Sequence, residues 1–435
     1  MKTLCCVALI AFAGPAAALA QEAGVPPKLT LADALRLAEE RSPAIAAARA
    51  LVGVAEADVI GAKQRPNPLV AFTSEGYAFG AGERRPFLDG QEIVLHVDQE
   101  IETAGRRRLR VESASSSVEA ARAAARDQVR QLQLDVRRAY FQAVLAKADA
   151  EAAQASLEEI DKVIAVSRTR YRLGELSGGD VRRLEVERLK FADDVFAAEL
   201  ALKNARSLLL ALMHAGRLDA PFEPVELLAP PAARPPEGPG AGQATPRAYD
   251  AAALTALALA NRPDLAAARR DQERAASDAR LQRALGTPNV TASAGYRREF
   301  GESGLVVGLS VPLPVFGRNP GGIARAEAER RLAASRVAAA ESAVALEVQH
   351  AINRLEVSRA RVAYLEHEFL KSAKESRDIV LAAYRSGAAD LSDYLDAERA
   401  RREGVRAYNR ALFDHRMYLF ELDAAVGRPA GDVQP

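Results

Sequence analysis

Four stretches of the chain alternate apolar with polar or small side chains at a period of two, the pattern of strands whose faces meet different surroundings. In 91–102, Ile93, Leu95, Val97 and Ile101 share one face, interrupted by Gln99. Glu92, His96, Asp98, Glu100 and Glu102 share the other, interrupted by Val94. In 289–300, Val290, Ala292, Ala294, Tyr296, Arg298 and Phe300 oppose Asn289, Thr291, Ser293, Gly295, Arg297 and Glu299. In 305–315, Leu305, Val307, Leu309, Val311, Leu313 and Val315 oppose Val306, Gly308, Ser310, Pro312 and Pro314. A run at 69–80 pairs with 91–102, and the two strands of each pair are joined by a loop of Gly and charged residues. Helical patterns dominate the remainder. Residues 107–172 contain no Pro or Gly and are rich in Ala, Arg, Glu, Gln and Leu, all strong helix formers. At 1.5 Å per residue such a helix reaches roughly 100 Å. Val405, Leu412, Leu419 and Val426 recur in heptad register, which suits coiled-coil packing.

The chain reads as two fused copies of one unit. LAEERSPAIAAAR (37–49) matches LALANRPDLAAAR (257–269), with Pro43 on Pro263. RPNPLVAF (65–72) matches TPNVTASA (287–294), and Gly105-Arg106 falls on Gly317-Arg318. YRLGELSGGDVRRLEVER (171–188) matches YRSGAADLSDYLDAERAR (384–401), with Tyr171, Gly174 and Asp180 on Tyr384, Gly387 and Asp393. The period, roughly 210–220 residues, is far too long for a solenoid. The first repeat spans 21–214: a helix at about 30–63, the strand pair 69–80 and 91–102, and a long helical hairpin at 107–213. The second spans 249–427: a helix at about 250–285, the strand pair 289–300 and 305–315, and a hairpin at 319–427. Between them 215–248, rich in Pro, Gly and Ala, cannot hold a helix and lacks strand alternation, so it reads as a linker. Residues 428–435 form a tail.

Composition narrows the compartment. Residues 1–20 combine Lys2, an apolar run and a terminal Ala18-Leu19-Ala20, the signature of a cleaved secretory signal; the alternative is an N-terminal anchor helix. Both cysteines, Cys5 and Cys6, lie inside that segment, so the mature chain is expected to have no disulfide, thiolate metal site or acylated cysteine. Its removal leaves 58 basic and 58 acidic residues, a balance that gives no electrostatic case for nucleic acid. No later apolar run is long enough for a membrane-spanning helix. Any membrane contact must come from strands or from an amphipathic face.

The strands are as long as tilted membrane-spanning strands, about 9–11 residues, and share their alternation of apolar outside and polar inside. A half-buried antiparallel sheet in a soluble protein has the same pattern. Four strands cannot close a barrel in lipid, where about eight is the minimum and open edges are excluded. Membrane insertion and association with further copies are therefore a single hypothesis.

The LADALRLAEERSPAI opening, the QEIETAGRRR and LSVPLPVFGRN strand ends, the two YR-x-G tips and the duplication together resemble the outer membrane efflux protein family, the TolC-like channels of Gram-negative tripartite pumps. The resemblance covers nearly the whole mature chain. The strand-end wording and RPNP are most similar to the branch serving cobalt–zinc–cadmium resistance pumps. This resemblance implies a mainly α fold with β: long helical hairpins in a periplasmic α-barrel, and four strands per chain in a trimeric twelve-stranded barrel in the outer membrane. It implies a passive conduit, not an enzyme, with no cofactor. The partners implied are outer membrane lipid, a periplasmic adaptor and an inner membrane RND-type transporter. By motif, Asp393 and Asp396 fall where relatives place acidic rings of the periplasmic gate, and Asp180 and Tyr384 where they place closing latches. Leu173, Gly174 and Glu175, with Ser386, Gly387 and Ala388, fall at the adaptor-binding tips. The arginine common two residues after the second tip glycine is Ala389 here. The alternatives are a drug efflux or type I secretion channel or, in a different class, a periplasmic adaptor or structural coiled-coil protein. An adaptor is expected to carry one hairpin, whereas this chain carries two.

No catalytic constellation is present, and with only Met213 and Met417 after Met1 a methionine path for monovalent copper is not expected. His96, beside Asp98 and Glu100, is the one candidate for transient cation contact, with plain solvation as its alternative. At the strand–helix junctions, Pro312 and Pro314 remove ladder donors on one side only, leaving Val311, Leu313 and Val315 free to pair on the other. Gly105 and Gly317 are expected to supply the bends.

Overall fold

The computed structural model describes residues 24–76, 91–228, 249–299 and 301–428. The expected signal at 1–20, the strand portion 77–80, the linker portion 229–248 and residues 429–435 of the tail lie outside the described residues.

Each expected opening helix is two helices. In the first repeat α1 (Leu31–Arg41) is followed by α2 (Pro43–Lys63); in the second α5 (Ala251–Asn261) is followed by α6 (Pro263–Ala284). Proline has no N–H to continue the ladder and pushes the preceding residue out of the helical region. Ser42 and Arg262 accordingly adopt extended ψ of 117° and 123°, and each proline begins a new helix. The helical period runs across both breaks, which is why the pattern alone reads as one helix. Side chains cap the starts: Thr30 accepts from Asp33 N, and Asp250 from Ala252 N and Ala253 N. The long helices are α3 (Arg106–Arg172), α4 (Gly178–Leu212), α7 (Pro320–Tyr364), α8 (Lys371–Ser386) and α9 (Leu391–Val426), with a π-helical turn at Leu365–Leu370 joining α7 to α8. Among the described residues no helix is long and apolar enough to cross a membrane.

The chain divides into two compact units. The described residues of Met1–Ser42, Asp135–Arg234 and Ser358–Met417 make the first. Its core is built by Ile160 and Ile164 of α3, Leu184 and Phe191 of α4, Leu381 and Tyr384 of α8, and Tyr394 and Leu395 of α9. Here the expected linker is corrected. Residues 215–228 are ordered: Phe222 is buried, and β4 (Glu223–Pro224) pairs in parallel with β1 (Lys28–Leu29). Two-residue strands leave no period to read. Tyr140 fixes this corner, donating to Leu29 O at 2.8 Å and accepting from Val225 N at 3.1 Å.

The described residues of Pro43–Leu134, Pro235–Val357 and Tyr418–Pro435 make the second unit. Its helical core joins Val344, Val348 and Ile352 of α7 to Leu422 and Val426 of α9 and Ala258 of α5. Its sheet is antiparallel, in the order β2 (Leu69–Glu75), β3 (Glu92–Ile101), β5 (Val290–Glu299) and β6 (Glu302–Ser310). The register lines up Phe72, Leu95, Tyr296 and Leu305 across all four strands, and next to them Val70, Val97, Ala294 and Val307. Most of these side chains are strongly exposed, so one face of the sheet is a continuous apolar surface. The row Ala71, His96, Gly295 and Val306 belongs to the opposite face, which also carries Asp98, Glu100 and Arg297. The β3–β5 pairing joins the two repeats, and β2 and β6 are left as edges.

Two expectations at the junctions are corrected. First, β6 covers Glu302–Ser310, not 305–315; its ladder ends with Ser310 opposite Thr291. Val311, Leu313 and Val315 lie beyond it, because Pro312 and Pro314 break the run of donors. Second, the bend before α7 is made by Asn319 at φ 61°, not by Gly317, which is not left-handed. Asparagine tolerates that region through local hydrogen bonding, and Asn319 Nδ2 donates to Gln282 O at 3.0 Å. In the first repeat Gly105 does bend, at φ 68°, together with Ala104. The arginines that follow are engaged within the protein: Arg106 Nε donates to Ala284 O at 3.3 Å and Arg107 Nε to Lys63 O at 2.7 Å. Two adjacent cations thus sit at the C-termini of α6 and α2, where the helix dipole favours positive charge.

Candidate functional site: the helical hairpin tips

The first tip ends α3 at Arg172 and restarts at Gly178. Gly174, at φ +79°, takes the left-handed position, and Glu175 N donates back to Arg170 O at 2.9 Å. Ser177 caps α4: its Oγ accepts from Asp180 N at 3.1 Å and donates to Asp180 Oδ2 at 2.9 Å. Asp180 therefore stabilises the start of its own helix, where the dipole favours a negative charge. Leu173, at the turn, is 69% exposed.

The second tip repeats the turn. Gly387 is left-handed at φ +80°, Ala388 N donates to Ala383 O at 2.8 Å, and Ser386 Oγ donates to the same carbonyl at 3.0 Å. Asp390 N donates to Asp393 Oδ2 at 3.3 Å, the reciprocal bond of a capping arrangement. Asp393 and Asp396 are both exposed on α9, away from Leu391, Tyr394 and Leu395 of the core, and Asp396 pairs with Arg399 at 3.3 Å.

The repeat-related tyrosines differ. Tyr171 is 52% exposed, its ring over Gly178, whereas Tyr384 is 4% exposed. The Tyr384 hydroxyl shares a hydrogen bond of 3.1 Å with Ser167 Oγ, and its ring stacks on Tyr394 at 5.8 Å. Arg170 Nη1 donates to Tyr384 O at 2.8 Å, placing a cation at the C-terminus of α8. The same guanidinium lies 5.9 Å from the Tyr384 ring centroid and 3.6 Å from the Glu175 carboxylate. Tyr394 is fully buried and its hydroxyl is unpartnered; burial, with Glu398 near by, pushes that hydroxyl above the ordinary phenol range. Glu398 is held by Arg401 at 2.6 Å and Arg377 at 3.7 Å.

An outer membrane efflux protein family model matches residues 34–213 and 254–412. The chain belongs to that family. Family membership makes it an outer membrane channel protein extending into the periplasm, not an enzyme. It is 24% identical to the cobalt-zinc-cadmium resistance protein CzcC of Cupriavidus metallidurans over 92% of this chain and 90% of that one. The outer membrane protein VceC of Vibrio cholerae has the same fold, with a TM-score of 0.73 and 20% identity over 92% of this chain and 96% of that one. The open-state MtrE outer membrane channel of Neisseria gonorrhoeae matches with a TM-score of 0.70 and 19% identity, over 92% and 89% respectively.

The gate positions expected from the sequence therefore separate into three kinds. Tyr384 ties α8 to α3, Asp180 caps α4, and Asp393 and Asp396 are surface acids of α9. Asp180 and Tyr384 form no bond with each other. Ser167 and Arg170 were not singled out from the sequence; the only local sign was Arg170 one residue before the repeated Tyr171. His96 Nε2 lies 3.4 Å from Asp98 Oδ2, while Glu100 accepts instead from Asn289 Nδ2. Among the described residues no group of three or more His, Cys, Asp or Glu is placed to hold a metal ion.

Proposed function

We propose that this protein is the outer membrane channel of a tripartite efflux pump, built from three copies and exporting divalent heavy-metal cations. The carrying observation is the sheet: four strands, one continuous apolar face and two unpaired edges. In hydrocarbon every backbone donor and acceptor needs a partner, so β2 and β6 must meet other copies. Three sheets of four make a twelve-stranded barrel, wide enough to conduct. The apolar rows face lipid, and His96, Asp98, Glu100 and Arg297 face the channel interior. Junction residues Gly105, Pro312, Pro314 and Gly317 mark the passage from strand to helix. The two tips, Leu173–Glu175 and Ser386–Ala388, dock a periplasmic adaptor that couples the channel to an inner membrane RND-type transporter. Metal cargo rests on the resemblance to CzcC.

Loss of the gene is expected to lower tolerance to cobalt, zinc and cadmium and to leave tolerance to organic antibiotics unchanged. The opposite pattern would move the cargo to drugs. Recovery of the chain in the soluble periplasm, with no SDS-resistant oligomer in the outer membrane, would remove the channel assignment itself.

Asp393 and Asp396 are the acids that line the periplasmic constriction, where symmetry gathers one of each from every copy. Rings of carboxylates attract cations. The double variant Asp393→Asn with Asp396→Asn is expected to lose most of the cation preference in planar bilayers. Reversal potentials equal to wild type would count against this placement.

A further inference from the structure

We propose that the segment Val311–Phe316, together with Arg108 and Arg318, is an interfacial anchor that seats the helix-side rim of the sheet in a phospholipid leaflet. The inference rests on the proposed membrane sheet. All four strands meet their helices at one end, where Ile101 pairs with Val290, Thr291 with Ser310, and Leu69 with Asp98. α2 and α6 enter the sheet there, and α3 and α7 leave it. The apolar surface does not stop with the ladder. Beyond Ser310, Leu313 is 80% exposed, Val315 71% and Phe316 fully. Apolar side chains grouped in this way gain by leaving water, and they mark a contact surface.

The backbone of the segment suits an apolar boundary. Pro312 and Pro314 carry no N–H, and Val315 N donates to Leu313 O at 2.9 Å across Pro314. Donors are thereby removed or satisfied locally where the ladder has ended, as hydrocarbon requires. A second copy of the chain is the other occupant to weigh. At this end β2, the opposite edge of the sheet, starts only at Leu69, after Pro66 and Pro68. Neither edge therefore carries a ladder on beside Val311–Phe316.

The cations favour lipid. Arg106, Arg107 and Arg110 are engaged within the protein, by Ala284 O, Lys63 O and Glu102. Arg108 and Arg318 are exposed, and among the described residues neither has a side-chain hydrogen bond or an ion pair. The Arg108 guanidinium lies over the bend at Gly105. Arg318 O lies against Gly286, in the turn whose Leu285 O accepts from Arg106 Nη2. Each strand–helix junction thus presents one free guanidinium, and the second presents it two residues after Phe316. Where acyl chains meet headgroups, a ring takes the apolar side and a guanidinium donates to phosphate oxygens. Anionic headgroups strengthen the attraction.

The chain has no tryptophan, so Phe316→Trp reports from this position alone. The full-length variant is reconstituted in phosphatidylcholine vesicles brominated at upper or at lower acyl carbons. Its emission is expected to shift to shorter wavelength and to be quenched most by the upper bromines. Val307→Trp, on the apolar face of the sheet, is expected to be quenched most by the lower bromines, and Ile379→Trp on α8 by neither. Quenching of Val307→Trp without quenching of Phe316→Trp overturns the anchor and leaves the channel reading standing. No quenching at either position overturns both. A shifted but unquenched Phe316→Trp assigns the segment to a second copy and overturns the lipid assignment. For the arginines, replacing phosphatidylcholine by phosphatidylglycerol at constant ionic strength is expected to raise the thermal midpoint of the wild type. Arg108→Gln with Arg318→Gln is expected to lose most of that rise. An equal rise in the double variant, or the same rise from inorganic phosphate added to phosphatidylcholine vesicles, overturns the headgroup contact.

Discussion

Gly295→Val is expected to leave no assembled channel in the outer membrane. A Cβ at Gly295 falls 2.3 Å from Leu95 O and 2.5 Å from the Cα and Cβ of His96. Two of those atoms are backbone, so no side-chain rotation relieves the clash. The neighbours belong to β3, and β3–β5 is the pairing that joins the repeats, from Ile93↔Arg298 to Ile101↔Val290. Separating the strands at His96↔Gly295 breaks the ladder in its middle, and in the proposed membrane barrel hydrocarbon offers no replacement partner. Gly308 is the matched control. A Cβ there meets only Ser293 side-chain atoms at 3.5 and 3.7 Å, an ordinary contact, so Gly308→Ala is expected to assemble. The readout is the heat-modifiable oligomer band in outer membrane fractions. A wild-type band from Gly295→Val would show that the strands can part there, against this reading.

The second large effect is at Tyr384. Tyr384→Ala removes an aromatic ring packed on Tyr394 and inside the core of the first unit, a change that costs about 3–5 kcal/mol in buried sites. Tyr384→Phe removes only the hydrogen bond shared with Ser167, worth about 1 kcal/mol. Both losses fall on the contacts holding α8 against α3 beside the tip. On the proposed gate, the expected order of single-channel conductance is Tyr384→Ala well above Tyr384→Phe, and Tyr384→Phe slightly above wild type. Tyr171→Ala, at the half-exposed position of the other repeat, is expected to match wild type. Equal conductance for Tyr171→Ala and Tyr384→Ala would mean that the buried tyrosine has no special part in closure.

The contrast between those tyrosines shows what the sequence discloses. Each sits in the same YR-x-G setting, and each tip glycine is left-handed, so the turns were legible from glycine alone. Burial was not: Tyr384 is buried by Ser167, Arg170 and Tyr394, partners from distant parts of the chain or from the next helix. The strand faces were legible because a period of two survives any register, and the observed rows join the residues that alternation grouped. Strand ends were less so, because alternation continues past Ser310 while the ladder stops. Pro43 and Pro263 were visible but read through, since a proline starting a helix does not disturb the helical period on either side. The bend at Asn319 was hidden for a related reason. Glycine is the default for left-handed backbone, and the asparagine is held there by Gln282, a contact no local pattern shows.

The two free sheet edges have a consequence for heredity. In the proposed assembly each edge is completed by another copy, which gives each chain influence over its neighbours. A chain with a sound β2 and a damaged β5 can still recruit a healthy partner and spoil the ring it joins. In a cell expressing both alleles, the proposed assembly predicts that intact channels fall faster than the share of intact chains. Lesions at Gly295 should behave as dominant traits when the damaged chain still docks, and as recessive ones when it never reaches the membrane.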